Sequence, residues 1–283
     1  MRILIIGVNG FLGSHLFDYY EKKGYFLFSA SYRPDNSDSN IRELERVIKE
    51  NNIDLIINAG ASQDGGDSVA ALKGVINSNV YFPSAIASIL IRSSPKTCFI
   101  NFGSSWQIDE TGNQSPFNAY AASKSAAECF YDHFALSGLR IATLRLYDTY
   151  GPLDKRNKVI NLIAEALLKS LPLDLTAGQQ AVDFVHISDV ISAVDIVIEE
   201  LFKLDAGLHL KYSVRSFSVI SVACLLELMR DLYNKDKPDS IRLGVREYRG
   251  RERFILSEDS LPTPPGWLPK IELKDGLIEL LKD

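Results

Sequence analysis

The chain has 283 residues, 46% hydrophobic and 24% charged, with 18 glycines and 11 prolines. That composition buries a large core and excludes disorder, collagen and a small disulfide scaffold. The 31 basic and 36 acidic residues sum to a net charge of -5, so no excess of Lys or Arg marks a nucleic-acid or anionic-membrane surface. Cys98, Cys129 and Cys224 are odd in number and widely spaced, which fits neither a disulfide framework nor a metal-ligand set; no metal and a reducing cytoplasm are expected. No apolar run approaches the roughly 18 residues that span a bilayer, and the apolar start lacks a cleavage site, so the chain reads as mature from Met1 without a membrane partner.

In chain order, the pattern predicts strand Arg2–Ile6, helix Phe11–Lys23, strand Tyr25–Ser29, helix Ile41–Asn51 and strand Asp54–Asn58. It continues with helix Asn79–Arg92, its start blurred by Pro83, then strand Thr97–Asn101, helix Tyr120–Ser137, strand Arg140–Leu146, helix Val159–Ser170 and strand Asp183–His186. Runs such as Ile3-Leu4-Ile5-Ile6 are continuously apolar, as strands covered on both faces are. The alternation predicts an α/β fold with a doubly wound parallel sheet. After Gly151 the rhythm breaks into Pro-, Gly- and charge-rich pieces with helices near Val219–Tyr233 and Leu273–Leu281. The expected division is a dinucleotide-binding Rossmann domain over 1–153, to which 183–212 return, and a smaller α/β substrate lobe over 154–182 and 213–283.

Gly7-Val8-Asn9-Gly10-Phe11-Leu12-Gly13 follows a buried-type strand and opens an amphipathic helix, the context a dinucleotide site needs. Gly7 permits the sharp turn, Gly10 the approach of a pyrophosphate and Gly13 close helix–strand packing, with helix-start N–H groups holding the phosphate charge. At the tip of the second strand, Ser31 stands where an acidic ribose ligand is expected and Arg33 suits a 2′-phosphate, which predicts NADP(H) over NAD. The alternative leaves Arg33 solvated and gives the ribose to Asp35 or Asp38.

Tyr120-Ala-Ala-Ser-Lys124 places both side chains on one helix face, one turn apart. Tyr19/Lys23 and Tyr233/Lys237 share the spacing, but only Tyr120 follows a strand ending in hydroxyls, Phe99-Ile-Asn-Phe-Gly-Ser104-Ser105, near the ligand-binding edge of the sheet. A phenol with a pKa of about 10 becomes a useful acid–base group when a nearby ammonium favours its phenolate, and Lys124 supplies that charge. A serine hydroxyl then holds a substrate carbonyl while the tyrosine gives or takes its proton.

With Asn58-Ala59-Gly60-Ala61, Arg145-Leu-Tyr-Asp-Thr-Tyr-Gly-Pro152, Asp183-Phe-Val-His-Ile-Ser-Asp189 and Pro265-Gly266-Trp267, these motifs resemble the NAD-dependent epimerase/dehydratase family, the extended short-chain dehydrogenases, over nearly the whole chain. The resemblance implies a triad of Ser105 (with Ser104 close behind), Tyr120 and Lys124, Lys124 also holding the nicotinamide ribose, and an Asn79 that stands either near that ribose or as a helix cap. It places Ala59, Gly60 and Ala61 with Gly7 to Gly13 at the cofactor, and implies a homodimer through helices of the Asn79–Arg92 and Tyr120–Ser137 type. Compactness, NADP preference and the Gly-hydroxyl-Ser turn are most similar to bacterial synthases of CDP-3,6-dideoxyhexoses such as abequose and paratose.

Three departures from the family pattern bear on the substrate. Trp106-Gln107 follows Ser105 where a sugar-nucleotide 4,6-dehydratase carries Asp-Glu, so dehydration is disfavoured and Asp109 and Glu110 read as loop charges. Asp148 replaces an asparagine that faces substrate phosphates, and Val182 replaces a phosphate-binding arginine, for which Arg249, Arg251 or Arg253 is expected to compensate. Ser104, Ser105, Trp106, Gln107, Asp148 and Arg249 are the candidate substrate contacts. The expected activity is NADP(H)-dependent reduction of a keto group on a nucleotide-activated deoxysugar for a surface polysaccharide or glycoside. Alternatives are an epimerase with transiently oxidised substrate and a nucleotide-binding regulatory protein that has lost its chemistry.

Overall fold

The computed structural model describes residues 1–30, 32, 37–233, 240–256 and 259–282. Strand β1 (Arg2–Ile6) leads through helix α1 (Phe11–Lys22) to β2 (Phe26–Ala30), and α2 (Ser37–Asn51) leads to β3 (Leu55–Asn58). Helices α3 (Val69–Ile76) and α4 (Phe82–Ser93) precede β4 (Cys98–Ser104); α5 (Ala119–Leu136) precedes β5 (Arg140–Leu146). Then come β6 (Asp148–Tyr150), α6 (Val159–Lys169), β7 (Leu173–Asp174), β8 (Ala181–His186), α7 (Ile187–Lys203) and β9 (Leu208–Val214). The chain closes with β10 (Val219–Ser221), α8 (Val222–Tyr233), β11 (Ile241–Arg242) and α9 (Leu273–Leu280).

The central sheet runs β2-β1-β3-β4-β5-β9, every pairing parallel. Its strands are apolar throughout because both faces are covered. Ile3 and Ile5 face the layer of α1 and α7, while Leu4 and Ile6 face α2, α4 and α5. This is the expected α/β doubly wound architecture. Among the described residues no strand lies outside β2, and α2 alone spans the short distance from β2 to β3.

Three expected boundaries move. Asp183–His186 belongs to β8, which pairs with β6 and β10 in a separate three-stranded sheet, and its predicted place in the central sheet is taken by β9. Val219–Tyr233 opens as β10 before turning helical. The helix expected from Asn79 starts ten residues earlier, at Val69, and runs through a π turn over Asn77–Tyr81, where Phe82 N–H reaches Asn77 O. Pro83, which has no N–H to donate, follows directly. Val69–Ser93 is long and apolar enough by composition to cross a membrane, yet Phe82, Ile86, Ala87 and Leu90 are buried against the sheet. A third apolar cluster, around Ile160, Leu225, Met229 and Leu277, is built from α6, α8 and α9.

Candidate active site

A cavity of about 1210 Å³ opens at the carboxyl ends of β1, β3, β4 and β5, where the helices after β1 and β3 leave for opposite faces of the sheet. Gly7, Gly10, Phe11, Leu12 and Ala59 to Ala61 line it. Gly7 has φ +83, and a Cβ there would lie 2.6 Å from Gly60 N, so a side chain would wedge apart the loops that form the cleft floor. Gly13 does not line the cavity; a Cβ there would collide with Gly7 O, so its role is to let α1 pack on the turn. Asn9 is exposed outside the lining. Gly10 caps α1 with no side-chain hydrogen bond and no acidic residue in the first turn, which leaves the helix-start N–H groups and the positive end of the dipole for an anion. These features fit the pyrophosphate of a dinucleotide. Ser31, Arg33 and Asp35, on which the NADP expectation turns, lie outside the described residues.

Ser104, Ser105, Tyr120 and Lys124 meet on the cavity wall. Asn118 starts α5 by accepting from Ala121 N–H at 2.9 Å, so Tyr120 and Lys124 fall in its first two turns. Lys124 Nζ is 5.8 Å from the Tyr120 ring centroid. Burial pushes the Tyr120 phenol up to about 12; hydrogen bonding to the Ser104 side chain and the Arg156 charge pull it down, and Asp148 pushes it up. Burial lowers Lys124 to about 8, against the field of Glu128, which raises it. Ser104 and Arg156 are the groups that pull the phenol down here, while Lys124, at about 8, keeps most of its charge near neutral pH. Ser105 is buried at the start of a 3₁₀ turn, Ser105–Gln107.

The lobe side is cationic, with Arg156, Lys158, Arg246 and Arg249 all in the lining. Asp148 also lines the cavity and accepts from Lys158 Nζ at 2.9 Å, which neutralises the carboxylate that would repel a diphosphate. Of the candidate compensating arginines, Arg251 is tied to Pro116 O and Phe117 O, and Arg253 donates to Ser105 O at 3.1 Å. Arg249 lines the cavity with its guanidinium 6.0 Å from the centroid of Trp106. Arg156 was not anticipated. Its guanidinium makes two 2.7 Å hydrogen bonds to Asp154 and lies 4.3 Å from the Phe11 ring centroid, joining the glycine turn to the lobe. The basic run Lys155-Arg156-Asn157-Lys158 was the available signal.

Two expected contacts are elsewhere. Gln107, 1% exposed, does not line the cavity: its Oε1 accepts from Ser104 N–H at 2.7 Å and its Nε2 donates to Glu128 at 2.7 Å. Asn79 is buried with its amide bonded to both backbone groups of Ser62 and to Ser123 Oγ, so it holds the loop after β3 instead of lining the cleft. Asp109 caps its own turn through Thr111, and Glu110 accepts from Phe254 N–H, as loop charges do. The decoy Lys23 is paired with Asp195 at 2.7 Å, and Lys237 lies outside the described residues.

A profile described as "NAD dependent epimerase/dehydratase family" matches residues 3–211. CDP-abequose synthase of Yersinia pseudotuberculosis is 27% identical over 264 residues, 89% of this chain and 90% of that protein. CDP-abequose synthase of Salmonella typhimurium is 24% identical over 294 residues, 99% and 97% of the two chains. Among solved structures, UDP-glucose 4-epimerase of Thermotoga maritima with UDP-glucose superposes with a TM-score of 0.82 at 20% identity, covering 100% of this chain and 98% of that one. RMD from Pseudomonas aeruginosa complexed with NADPH gives 0.79 at 22%, covering 99% and 97%. The chain belongs to the NAD-dependent epimerase/dehydratase family and is an NAD(P)-dependent enzyme of the extended short-chain dehydrogenase type.

Proposed function

We propose that the protein uses NADPH to reduce the keto group of a nucleotide-activated deoxysugar, in the supply of a surface polysaccharide or glycoside. The observation that carries this reading is the single cavity that brings Ser104, Ser105, Tyr120 and Lys124 together between the glycine turn and a cationic lobe. The full-length relatives named CDP-abequose synthase support a reductase that acts on a sugar nucleotide. NADPH in place of NADH rests on Ser31 and Arg33 as read from the sequence.

When bound, the reduced nicotinamide supplies a hydride to the carbonyl carbon. Gly7, Gly10 and the start of α1 hold the pyrophosphate, and Lys124 holds the ribose. Ser105 orients the carbonyl, Ser104 hydrogen-bonds Tyr120, and Tyr120 delivers the proton to the carbonyl oxygen. Burial holds the Tyr120 phenol above its ordinary value, in keeping with a part as the proton donor of a reduction. Lys158 and Arg249 take the diphosphate, with Trp106 beside the sugar. Val69, Ile76 and Tyr81 along the α3–α4 helix and Phe130 on α5 are exposed, in keeping with a homodimer through that face.

Titration of the purified protein with NADPH and NADH, followed by a pool of nucleotide 4-keto-sugars in the same cell, tests the reading. Loss of the nicotinamide absorbance with NADPH preferred is the expected result. Tight cofactor retention with no net consumption overturns it in favour of an epimerase.

A further inference from the structure

Tyr120, Lys124, Glu128 and Asp132 follow at four-residue spacing on α5. One face of the helix therefore carries a line of ionisable groups that starts at the cavity and continues along the sheet. Glu128 does not line the cavity. Its Oε1 accepts from Gln107 Nε2 at 2.7 Å, and its Oε2 is 4.0 Å from Lys211 Nζ on β9. The other end of Gln107 holds the backbone N–H of Ser104 at 2.7 Å. A Cβ at Gly103 would lie 2.6 Å from Gln107 Oε1 and 3.3 Å from Glu128 Oε1, so a side chain on the strand here would displace this pair.

We propose that Glu128, clamped by Gln107, is a positioning residue that keeps Lys124 charged and fixes the Ser104 turn against Tyr120. The inference rests on the roles given above to Lys124 and Ser104. Burial alone would carry Lys124 further toward neutrality than about 8, and Glu128 is the charge that opposes it. The groups facing Glu128 on its own helix are Lys124, Tyr131 and Asp132; Lys211 faces it from β9 and neutral Gln107 from the turn. Lys211 is shared, donating to Asp132 Oδ2 at 2.9 Å. His209 sits between Asp132 and Thr143 and is pushed down to about 4 by burial, so it adds no charge near neutral pH. Arg145 on β5 is paired with Asp259 at 2.7 Å, and Arg253 bonds the Ser105 carbonyl.

The test follows the Lys124 side-chain signal by NMR in cofactor-free protein with labelled lysine, assigned by its loss in Lys124→Arg, beside the pH profile of kcat. Glu128→Gln keeps the contact with Gln107 and removes the charge; the Lys124 midpoint and the alkaline limb of kcat are expected to fall by about one pH unit. Lys211→Met removes the competing cation and is expected to move the midpoint up. Gln107→Ala releases both Ser104 and the clamped carboxylate, and is expected to lower kcat about tenfold and to bring the Lys124 midpoint down by less than Glu128→Gln does. A midpoint unchanged in Glu128→Gln, whatever happens to its melting temperature, overturns the inference, as do shifts of the same sign in Glu128→Gln and Lys211→Met. Should Glu128→Gln not fold, Lys211→Met alone decides by its sign. Opposite shifts in a protein that consumes no NADPH with any keto-sugar nucleotide uphold the electrostatic inference and reject the reductase reading.

Discussion

The two sides of the cavity are built from different materials. The cofactor side is mainly backbone: Gly7 and Gly60 in near contact, an uncapped helix start and a turn under α1. The lobe side is long side chains in charge balance: Asp148 with Lys158, Arg156 with Asp154, and Arg249 over Trp106. Backbone geometry tolerates few residues at fixed positions, because the exclusion is steric. Charge balance can be moved from one position to another, which is how a lobe with Val182 and Asp148 in its lining still presents four cations to the cavity.

Breaking the seam between the two sides has the largest expected effect. Tyr120→Phe is expected to cut turnover about 10²–10⁴-fold with circular dichroism and NADPH affinity unchanged; near-normal turnover would sink the role given to Tyr120. On the backbone side, Gly7→Val is expected to abolish NADPH binding in a fluorescence titration and to lower the melting temperature, and a variant that still binds tightly would show the cleft floor to be more compliant than its contacts imply. Lys124→Met is expected to lose activity but gain about 1–3 kcal/mol of stability at pH 7. Burial lowers Lys124 from 10.5 to about 8, so between those values the unfolded chain binds more protons and stability rises with pH. The gain measured by urea melts therefore shrinks as pH rises through that window. On the charged side, Lys158→Met and Arg249→Ala are each expected to raise KM about tenfold, roughly one charge-assisted contact, with kcat within about twofold. Asp148→Asn, the smallest change, is expected to lower KM about twofold, and a rise instead would mean that the carboxylate serves to place Lys158.

What could be read in the sequence divides along the same line. The glycine turn and the Tyr120–Lys124 pair were legible because sterics and helix geometry act over a few consecutive residues. Gln107 suits a substrate contact by its place after the hydroxyl turn and Asn79 a ribose contact or a helix cap, whereas their amides are bonded to Ser104 and Glu128, and to Ser62 and Ser123. A polar side chain's partner is chosen by tertiary packing, which no local pattern encodes. The same holds for β9: His209 and Lys211 make it read as polar, yet both are engaged by Asp132 of α5. The short segment Asp183–His186 announces a strand without announcing which sheet takes it.

The π turn at Asn77–Tyr81 gives the chain a length tolerance that its composition does not show. It holds one residue more than an α-helical turn. Deleting that residue would restore regular winding and leave Phe82, Ile86 and Leu90 on nearly the same face, because the wide turn takes up the extra residue within one revolution, while the Asn79 amide would lose its place against Ser62. A one-residue deletion within 77–81 should therefore be less damaging than one in the regular turns on either side, which rotates everything beyond it by about 100°, and a deletion scan along Val69–Ser93 should find its mildest point at the turn.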